Sequence, residues 1–97
     1  MIKSFKNKGT EDIFNGNNTK DGRKICPQSI WKIALRKLDQ IDSTNNLNDL
    51  KIPLGNNLEL LKGDKQGKYS IRINDQYRII FSWDKGEAVE LEIVDYH

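Results

Sequence analysis

Three consecutive side chains, Asp95, Tyr96 and His97, combine groups that can transfer protons with an aromatic ring that can stack on a nucleobase. His97 is the only histidine in the sequence, and an unperturbed imidazole titrates near neutral pH, with a pKa of roughly 6.5. A carboxylate, a phenol and an imidazole in a row suit general acid–base catalysis. Charged chain ends are also commonly unstructured, so the triplet alone also fits an inert tail.

Basic residues that suit an anionic partner are concentrated in two stretches of the chain. Residues 20–37 contain six basic residues and one acid, and residues 62–78 contain five basic residues and two acids. Residues 83–97 reverse this balance, with five acids and one lysine. The clustering indicates an anionic partner, although it also fits a solvated surface. The net charge of +2 is too small to indicate nucleic-acid binding by itself.

Length and composition predict one small domain spanning residues 1–97. A single cysteine, Cys26, allows no internal disulfide and favours a reducing cytoplasmic setting. We find neither an apolar run of the ~18 residues needed to span a membrane nor the apolar core of a signal peptide. A lone histidine and scattered acids do not have metal-ligand spacing, and no phosphate-cradling G-x-x-x-x-G-K-[ST] motif is present. We therefore expect no metal and no cofactor.

Two helical segments and a series of strands must position these groups. The clearest helix is predicted over residues 27–41, where Pro27 suits the first helical position. Its apolar residues recur at helical spacing: Ile30, Ala34, Leu38 and Ile41. A shorter helix is expected near residues 10–14 with Thr10 as its N-cap, followed by a loop to residue 24.

Alternating apolar and polar residues predict strands over residues 2–5, 58–61, 68–73, 77–83 and 86–94. Short turns between the later runs predict an antiparallel meander, covered on one face by the amphipathic helix. The predicted fold class is therefore α+β. The covered face is expected to carry Val89, Leu91 and Ile93. The face left open is expected to carry Ser70, Arg72, Arg78 and Glu90.

The meander brings the terminal triplet beside the central strands, near Lys62 and Arg78. Proton-transfer groups, an aromatic surface and two cations, with no obvious protein nucleophile, suit attack of an RNA 2′-hydroxyl on its own phosphodiester. The substrate supplies the nucleophile in that reaction, so the enzyme needs only a base, an acid and charge stabilisation. Each residue has a simpler interpretation: Lys62 fits a solvated loop lysine, Arg78 a partner of Glu90 across the sheet, and Tyr96 a ring packed over the sheet end.

Three motifs give the sequence a family resemblance. The run Leu60-Leu-Lys-Gly-Asp-Lys-Gln-Gly-Lys-Tyr-Ser-Ile71, then Tyr77-Arg-Ile-Ile-Phe81 and the closing Asp95-Tyr-His97 resemble the HigB toxins of bacterial toxin–antitoxin modules, within the RelE/ParE superfamily. Residues 1–9 are similar as well, and the resemblance covers nearly the whole chain. It implies a RelE-like fold, a small antiparallel-dominated sheet with two to three helices packed on one face.

The resemblance also implies an activity, ribosome-dependent and metal-independent cleavage of mRNA in the A site, which inhibits translation. The implied partners are the ribosome, mRNA and a helix-turn-helix (HigA-like) antitoxin, with operator DNA bound only through the antitoxin complex and no membrane. By position, Lys62 and Arg78 match the family's phosphate-stabilising pair, and the closing triplet of Asp95, Tyr96 and His97 matches its catalytic group. The basic residues expected to bind RNA are Arg72, Lys65, Lys68, Lys32 and Arg36.

One position departs from the family pattern. Many relatives have a histidine three residues before the lysine, where this sequence has Glu59. Glu59 is a further candidate base close to Lys62 in sequence, or else a solvated surface acid. Two other functions stay open: a module that occupies RNA or the ribosome without cutting, and the gyrase-inhibiting branch of the superfamily. Members of that branch typically lack the closing triplet, which argues against it.

Overall fold

The computed structural model describes residues 1–96, so His97 lies outside the described residues. This part of the chain forms three α-helices and four β-strands: α1 (Lys8–Phe14), α2 (Lys20–Ile25), α3 (Trp31–Ser43), β1 (Glu59–Leu60), β2 (Tyr69–Arg72), β3 (Tyr77–Asp84) and β4 (Glu87–Asp95). Short 3₁₀ turns connect them at Gln28–Ile30, Leu47–Lys51, Leu54–Asn56 and Gly63–Lys65. None of the helices within residues 1–96 is long and apolar enough to cross a bilayer.

The four strands form one antiparallel sheet in the order β1-β2-β3-β4. This arrangement confirms the predicted α+β class and meander. The strand predicted over residues 2–5 is present only as two isolated parallel bridges, which join Ile2 to Ala88 and Phe5 to Leu91. These bridges place the N-terminal segment beside β4, so β4 is paired on both sides.

The hydrophobic core lies between one face of the sheet and α3. We call this face the helix face; its fully buried side chains include Ile71, Ile79 and Phe81. The helix contributes the predicted stripe, in which Ala34, Leu38 and Ile41 are fully buried. Their burial supplies the apolar contact that stabilises the small domain. The helix itself begins later than predicted, at Trp31, because a 3₁₀ turn follows Pro27.

The N-cap of α1 differs from the prediction. The helix begins at Lys8, and the side chain of Asn7 accepts a hydrogen bond from the Thr10 backbone N–H at 2.9 Å. Thr10 was expected to be the cap, but its hydroxyl oxygen accepts from the Ile93 N–H at 3.1 Å. Thr10 therefore joins α1 to β4 instead of capping the helix.

Residues 20–25 form the helix α2, so the loop predicted over this stretch is wrong. Thr19 caps the helix, because its hydroxyl oxygen accepts from the Gly22 N–H at 3.1 Å. A Cβ atom on Gly22 would lie 3.2 Å from the Trp31 ring, so glycine allows α2 and α3 to approach closely. The helix has only six residues and no apolar periodicity, which is why the pattern did not reveal it.

A β-bulge in β4 corrects one prediction about the sheet. The register shifts between the pairs Ile80–Glu92 and Ser82–Val89, and Glu90 has a positive φ of 54°. The extra residue reverses the alternation, so Ala88 rather than Val89 joins Leu91 in the core. Val89 was therefore wrongly assigned to the helix face.

Candidate active site

The second face of the sheet, opposite the helix face, is not left open at its centre. Ser70 is 0% exposed, Arg78 is 8% exposed and Ile80 is 0% exposed. The chain between β1 and β2 crosses this face, where Lys65 contacts Glu92 and Leu61 is buried. The prediction that Ser70 and Arg78 lie on an exposed surface is therefore wrong: Arg78 bonds to Ser70, and Asn57, Glu59 and Tyr96 lie around its guanidinium.

Arg78 is held in a fixed orientation from two sides. Its Nε–H donates to the Ser70 Oγ at 2.8 Å, and its Nη2 donates to the backbone oxygen of Asn57 at 2.6 Å. A longer bond of 3.5 Å joins Nη2 to the Ser70 carbonyl oxygen. A guanidinium group is planar, so two anchors on different nitrogens define both its plane and its direction.

A carboxylate and an aromatic ring flank this guanidinium. The Glu59 Oε1 lies 3.9 Å from the Arg78 Nη2, and the centroid of the Tyr96 ring lies 5.8 Å from the Arg78 Cζ. The second distance is within the range of a cation–π interaction. Glu59 pairs with Ser70 across β1 and β2, which places it on the same face as Arg78. Its side chain is 53% exposed and thus accessible from solvent.

The 52–57 segment, which precedes β1, supplies the Asn57 anchor. Asn57 has a left-handed backbone conformation, with φ 44° and ψ 58°. The adjacent Asn56 is fully buried, and its Nδ2 donates to the Leu50 oxygen and to the Gln40 Oε1, each at 3.0 Å. The Asn56 Oδ1 accepts from Lys37 of α3. The segment that orients Arg78 is therefore tied to the helix on the other side of the molecule.

Lys62 is exposed and lies just before the turn Gly63–Lys65. Within residues 1–96, its ammonium group makes no hydrogen bond or ion pair, and none joins it to Arg78. The Leu61 N–H donates to the Lys68 oxygen, whereas Arg78 is level with Arg72. Four residues along a strand correspond to about 13 Å. The backbone thus places the predicted phosphate-stabilising pair at different levels of the sheet.

Asp95 and Tyr96 lie on opposite sides of the sheet. Asp95 pairs with Tyr77, a residue of the helix face, and its Oδ2 accepts from the Gln76 Nε2 at 3.0 Å. Burial raises the pKa of the Tyr77 phenol, and the Asp95 carboxylate adds to this shift. The next residue, Tyr96, turns back toward Arg78. His97, the third member of the predicted triplet, lies outside the described residues.

The basic residues predicted to bind RNA are distributed over both sides of the molecule. Three of them form ion pairs on or beside the second face: Arg72 with Asp75, Lys65 with Glu92 at 3.7 Å and Lys68 with Glu90 at 3.8 Å. Lys32 and Arg36 are exposed on α3, on the helix side. The structure therefore brings the first three, but not the last two, to the side of the sheet that carries Arg78.

Two residues with a role in this arrangement were not singled out in the sequence. Lys37 lies close to two cations: burial lowers the pKa of its ammonium group, and Arg36 and Arg72 add to the shift. Its place beside Arg36 at the end of the basic 20–37 stretch was the available signal. The sequence placed Ser70 on the same face as Arg78 but did not predict the hydrogen bond between them. A serine between apolar neighbours in a strand was the feature that could have indicated a buried polar contact.

The geometry around Arg78 suits the binding of a phosphodiester together with its neighbouring nucleobase. A guanidinium fork can contact two phosphate oxygens at once. The Tyr96 ring, 38% exposed, offers a surface on which a base can stack. The exposed Glu59 carboxylate beside the fork can accept a proton. These groups can together bind a nucleotide and act on a proton next to its phosphate.

Comparisons with known proteins agree with these features. A family model described as RelE-like toxin of the type II toxin–antitoxin system HigB matches residues 3–97. Toxin HigB-1 of Vibrio cholerae is 38% identical over 89 residues, covering 92% of this chain and 90% of that protein. Endoribonuclease HigB of Proteus vulgaris is 35% identical over 97 residues, covering both chains in full. A Staphylococcus aureus chain from a heterotetrameric YoeB–YefM toxin–antitoxin complex has the same fold, with a TM-score of 0.54 at 19% identity, covering 100% of this chain and 98% of that one.

Proposed function

The chain belongs to the HigB family of RelE-like toxins from type II toxin–antitoxin systems, and we propose that it is an endoribonuclease that cleaves mRNA on the ribosome. The observation that carries the proposal is the oriented Arg78 guanidinium with Glu59 and Tyr96 beside it. It is a phosphate-binding group placed next to a proton acceptor and a stacking surface. The name of the Proteus vulgaris relative supports the same activity.

The proposed reaction is an intramolecular transesterification. A base removes the proton from the ribose 2′-hydroxyl, and the 2′-oxygen forms a bond to phosphorus. The bond from phosphorus to the 5′-oxygen breaks, and an acid protonates this leaving oxygen. The products are a 2′,3′-cyclic phosphate and a 5′-hydroxyl. Each positioned proton-transfer group contributes roughly 10²–10⁴-fold to the rate.

The chain's own residues supply the remaining requirements. Arg78 stabilises the charge that develops on the phosphate oxygens, and Lys62 approaches the same phosphate from its exposed loop. Proton transfer falls to Glu59 beside Arg78 and to His97 and Asp95 of the triplet, of which Asp95 lies at the end of β4 on the helix face. Tyr96 stacks on a nucleobase. Arg72, Lys65 and Lys68 lie on the same side as Arg78 and bind the RNA backbone, and Lys32 and Arg36 contact anionic surface from the helix side.

The proposed partners follow from the family. Ribosomes and mRNA are the targets, which sets the activity in the cytoplasm. A helix-turn-helix (HigA-like) antitoxin neutralises the toxin, and operator DNA is bound only by the complex through the antitoxin. The Staphylococcus aureus neighbour forms a complex with its own antitoxin, which supports a partner of this general kind.

Induced expression in bacteria tests the function, with His97 as the diagnostic residue. We expect growth arrest and new mRNA 5′ ends within translated regions, and we expect His97→Ala to abolish both while the protein still accumulates. An imidazole is the side chain best suited to proton transfer near neutral pH, so its loss should stop the reaction. The 5′ ends are mapped by sequencing.

Co-expression with the neighbouring antitoxin gene is the control and should restore growth. Growth arrest without new 5′ ends would indicate a module that occupies the ribosome without cutting. Normal growth at high expression of the wild-type protein would contradict the family-based proposal. Full toxicity of His97→Ala would leave the nuclease in place but remove His97 from its mechanism.

Glu59 is proposed as a proton acceptor in place of the histidine that many relatives have. Replacing Glu59 by Gln keeps its shape and removes its basicity, so we expect single-turnover cleavage to slow by roughly 10²-fold or more. Glu11→Gln, on the exposed surface of α1, is a matched control. An unchanged rate for Glu59→Gln would make the residue a surface acid that only pairs with Arg78.

A further inference from the structure

Ser70 is a polar residue in a position that packing alone would fill with an apolar one. It lies in β2 between Tyr69 and Ile71, pairs with Ile80 and has 0% exposure. β-Branched and aromatic side chains are favoured at such a position. A buried hydroxyl requires a hydrogen-bond partner, and the partner of Ser70 is the Arg78 Nε–H at 2.8 Å.

The hydrogen bond to Ser70 involves Nε, the nitrogen of Arg78 that sets the orientation of its guanidinium. Nε is the guanidinium nitrogen nearest the backbone, and its N–H direction fixes the in-plane rotation of the group. With Asn57 holding Nη2 at 2.6 Å, the guanidinium is restrained at two of its nitrogens. Glu59 lies 3.9 Å from Nη2 but is exposed, so it restrains the fork less.

We propose that Ser70 is a positioning residue that holds the Arg78 guanidinium in the orientation in which it meets the scissile phosphate. The inference rests on the proposed nuclease function, because it assigns Ser70 an effect only through Arg78. Ser70 is completely buried and cannot contact the RNA itself. The Asn57 carbonyl oxygen, fixed by the buried Asn56 and its bonds to Gln40 and Leu50, is the second restraint.

The test is single-turnover cleavage of ribosome-bound mRNA by Ser70→Ala. A misplacement of about 1 Å in a reacting geometry can reduce a rate on the order of 10²-fold. We expect Ser70→Ala to lower the maximal cleavage rate by 10-fold to about 10²-fold while the half-saturating toxin concentration stays unchanged. A loss of RNA affinity would instead raise that concentration.

A double-mutant cycle distinguishes positioning from a general effect on the fold. In an Arg78→Ala background, Ser70→Ala should reduce the rate no further, because the hydroxyl then has no guanidinium to hold. Thr10→Ala is the matched control. It also removes a buried hydroxyl that accepts one hydrogen bond, here from the Ile93 N–H at 3.1 Å, but on the helix side. We expect it to lower the melting temperature as Ser70→Ala does and to leave the cleavage rate unchanged.

The outcomes separate the two proposals. If the wild-type protein does not cleave, the proposed function fails, and the role of Ser70 fails with it. If the wild type cleaves but Ser70→Ala and Arg78→Ala act additively, only the positioning role is overturned. Equal slowing by Thr10→Ala would likewise assign the Ser70 effect to lost stability, against the proposal. A rate loss confined to Ser70→Ala and absent from the Arg78→Ala background supports it.

Discussion

Replacing the ribose 2′-hydroxyl at the cut site with hydrogen is expected to abolish cleavage completely. The proposed nucleophile is that hydroxyl, and removing it leaves neither Arg78 nor any proton-transfer group with a reaction to accelerate. The measurement uses mRNA with one deoxynucleotide at the mapped cut site, programmed into ribosomes and incubated with the toxin. Sequencing of the 5′ ends then reports any residual product.

A deoxynucleotide one position downstream is the control and should leave cleavage at the mapped site intact. The product of the unmodified substrate should carry a 2′,3′-cyclic phosphate, and cleavage should survive a strong chelator as long as the magnesium of the ribosome is retained. Cleavage of the deoxy substrate would show that activated water is the nucleophile. A 3′-hydroxyl product formed only with added metal would lead to the same conclusion.

Arg78→Ala is expected to reduce the rate of the chemical step on the order of 10²–10³-fold, the usual effect of losing one donor to a developing oxyanion. The guanidinium is directed by Ser70 and Asn57, so its charge needs no reorganisation when the phosphate becomes pentavalent. Arg78→Lys should recover only part of the rate. Lysine keeps the charge but cannot donate through a fixed fork. Single-turnover kinetics on ribosome-bound mRNA give both values.

The burial of Arg78 makes a stability control necessary. Removing the side chain leaves the Ser70 hydroxyl and the Asn57 oxygen without their donor, at a cost of about 1–3 kcal/mol for an unsatisfied buried group. Thermal unfolding therefore accompanies the kinetics. Arg23→Ala removes an exposed arginine that bonds to Asn18 near α2 and should change neither quantity. Wild-type rates for a folded Arg78→Ala protein would remove this residue from the mechanism.

The sheet and the main helix were predictable because each has one buried face. A strand that buries alternate residues, such as Ile71 and Ile79, has its register set by that burial, since a shift of one residue would expose them all. The stripe of Ala34, Leu38 and Ile41 fixed the orientation of α3 in the same way. In both elements the local pattern and the tertiary structure agree.

Elements that depend on single polar side chains were not predictable from periodicity. Asn7 and Thr10 both fit an N-cap, and only the distant Ile93 N–H determines that Thr10 is used elsewhere. The bulge at Glu90 is stabilised by the Ser4 hydroxyl, which accepts from the Glu90 N–H at 2.9 Å. A positive φ at a glutamate has no signature in the sequence.

The candidate site was predicted in part. Sheet register alone brings Tyr96 near Arg78, and the alternation of β2 and β3 assigns Ser70 and Arg78 to one face. Arg78 is buried among Asn57, which precedes β1, and the side chains of Glu59 and Tyr96, and the pattern did not specify this arrangement. The pairing of Glu59 with Ser70 places its carboxylate beside Arg78, whereas sequence proximity had suggested Lys62.

The double pairing of β4 has a consequence for synthesis of the chain. Residues 1–6 are synthesised long before β4, the strand with which they pair; the Ser4–Glu90 contact joins residues 86 positions apart. Such distant contacts close slowly compared with local ones. A nascent chain that stops short of Glu87–Asp95 lacks both the strand that pairs with residues 1–6 and Tyr96, which flanks Arg78. This toxin therefore assembles its site only after its own translation has passed these residues.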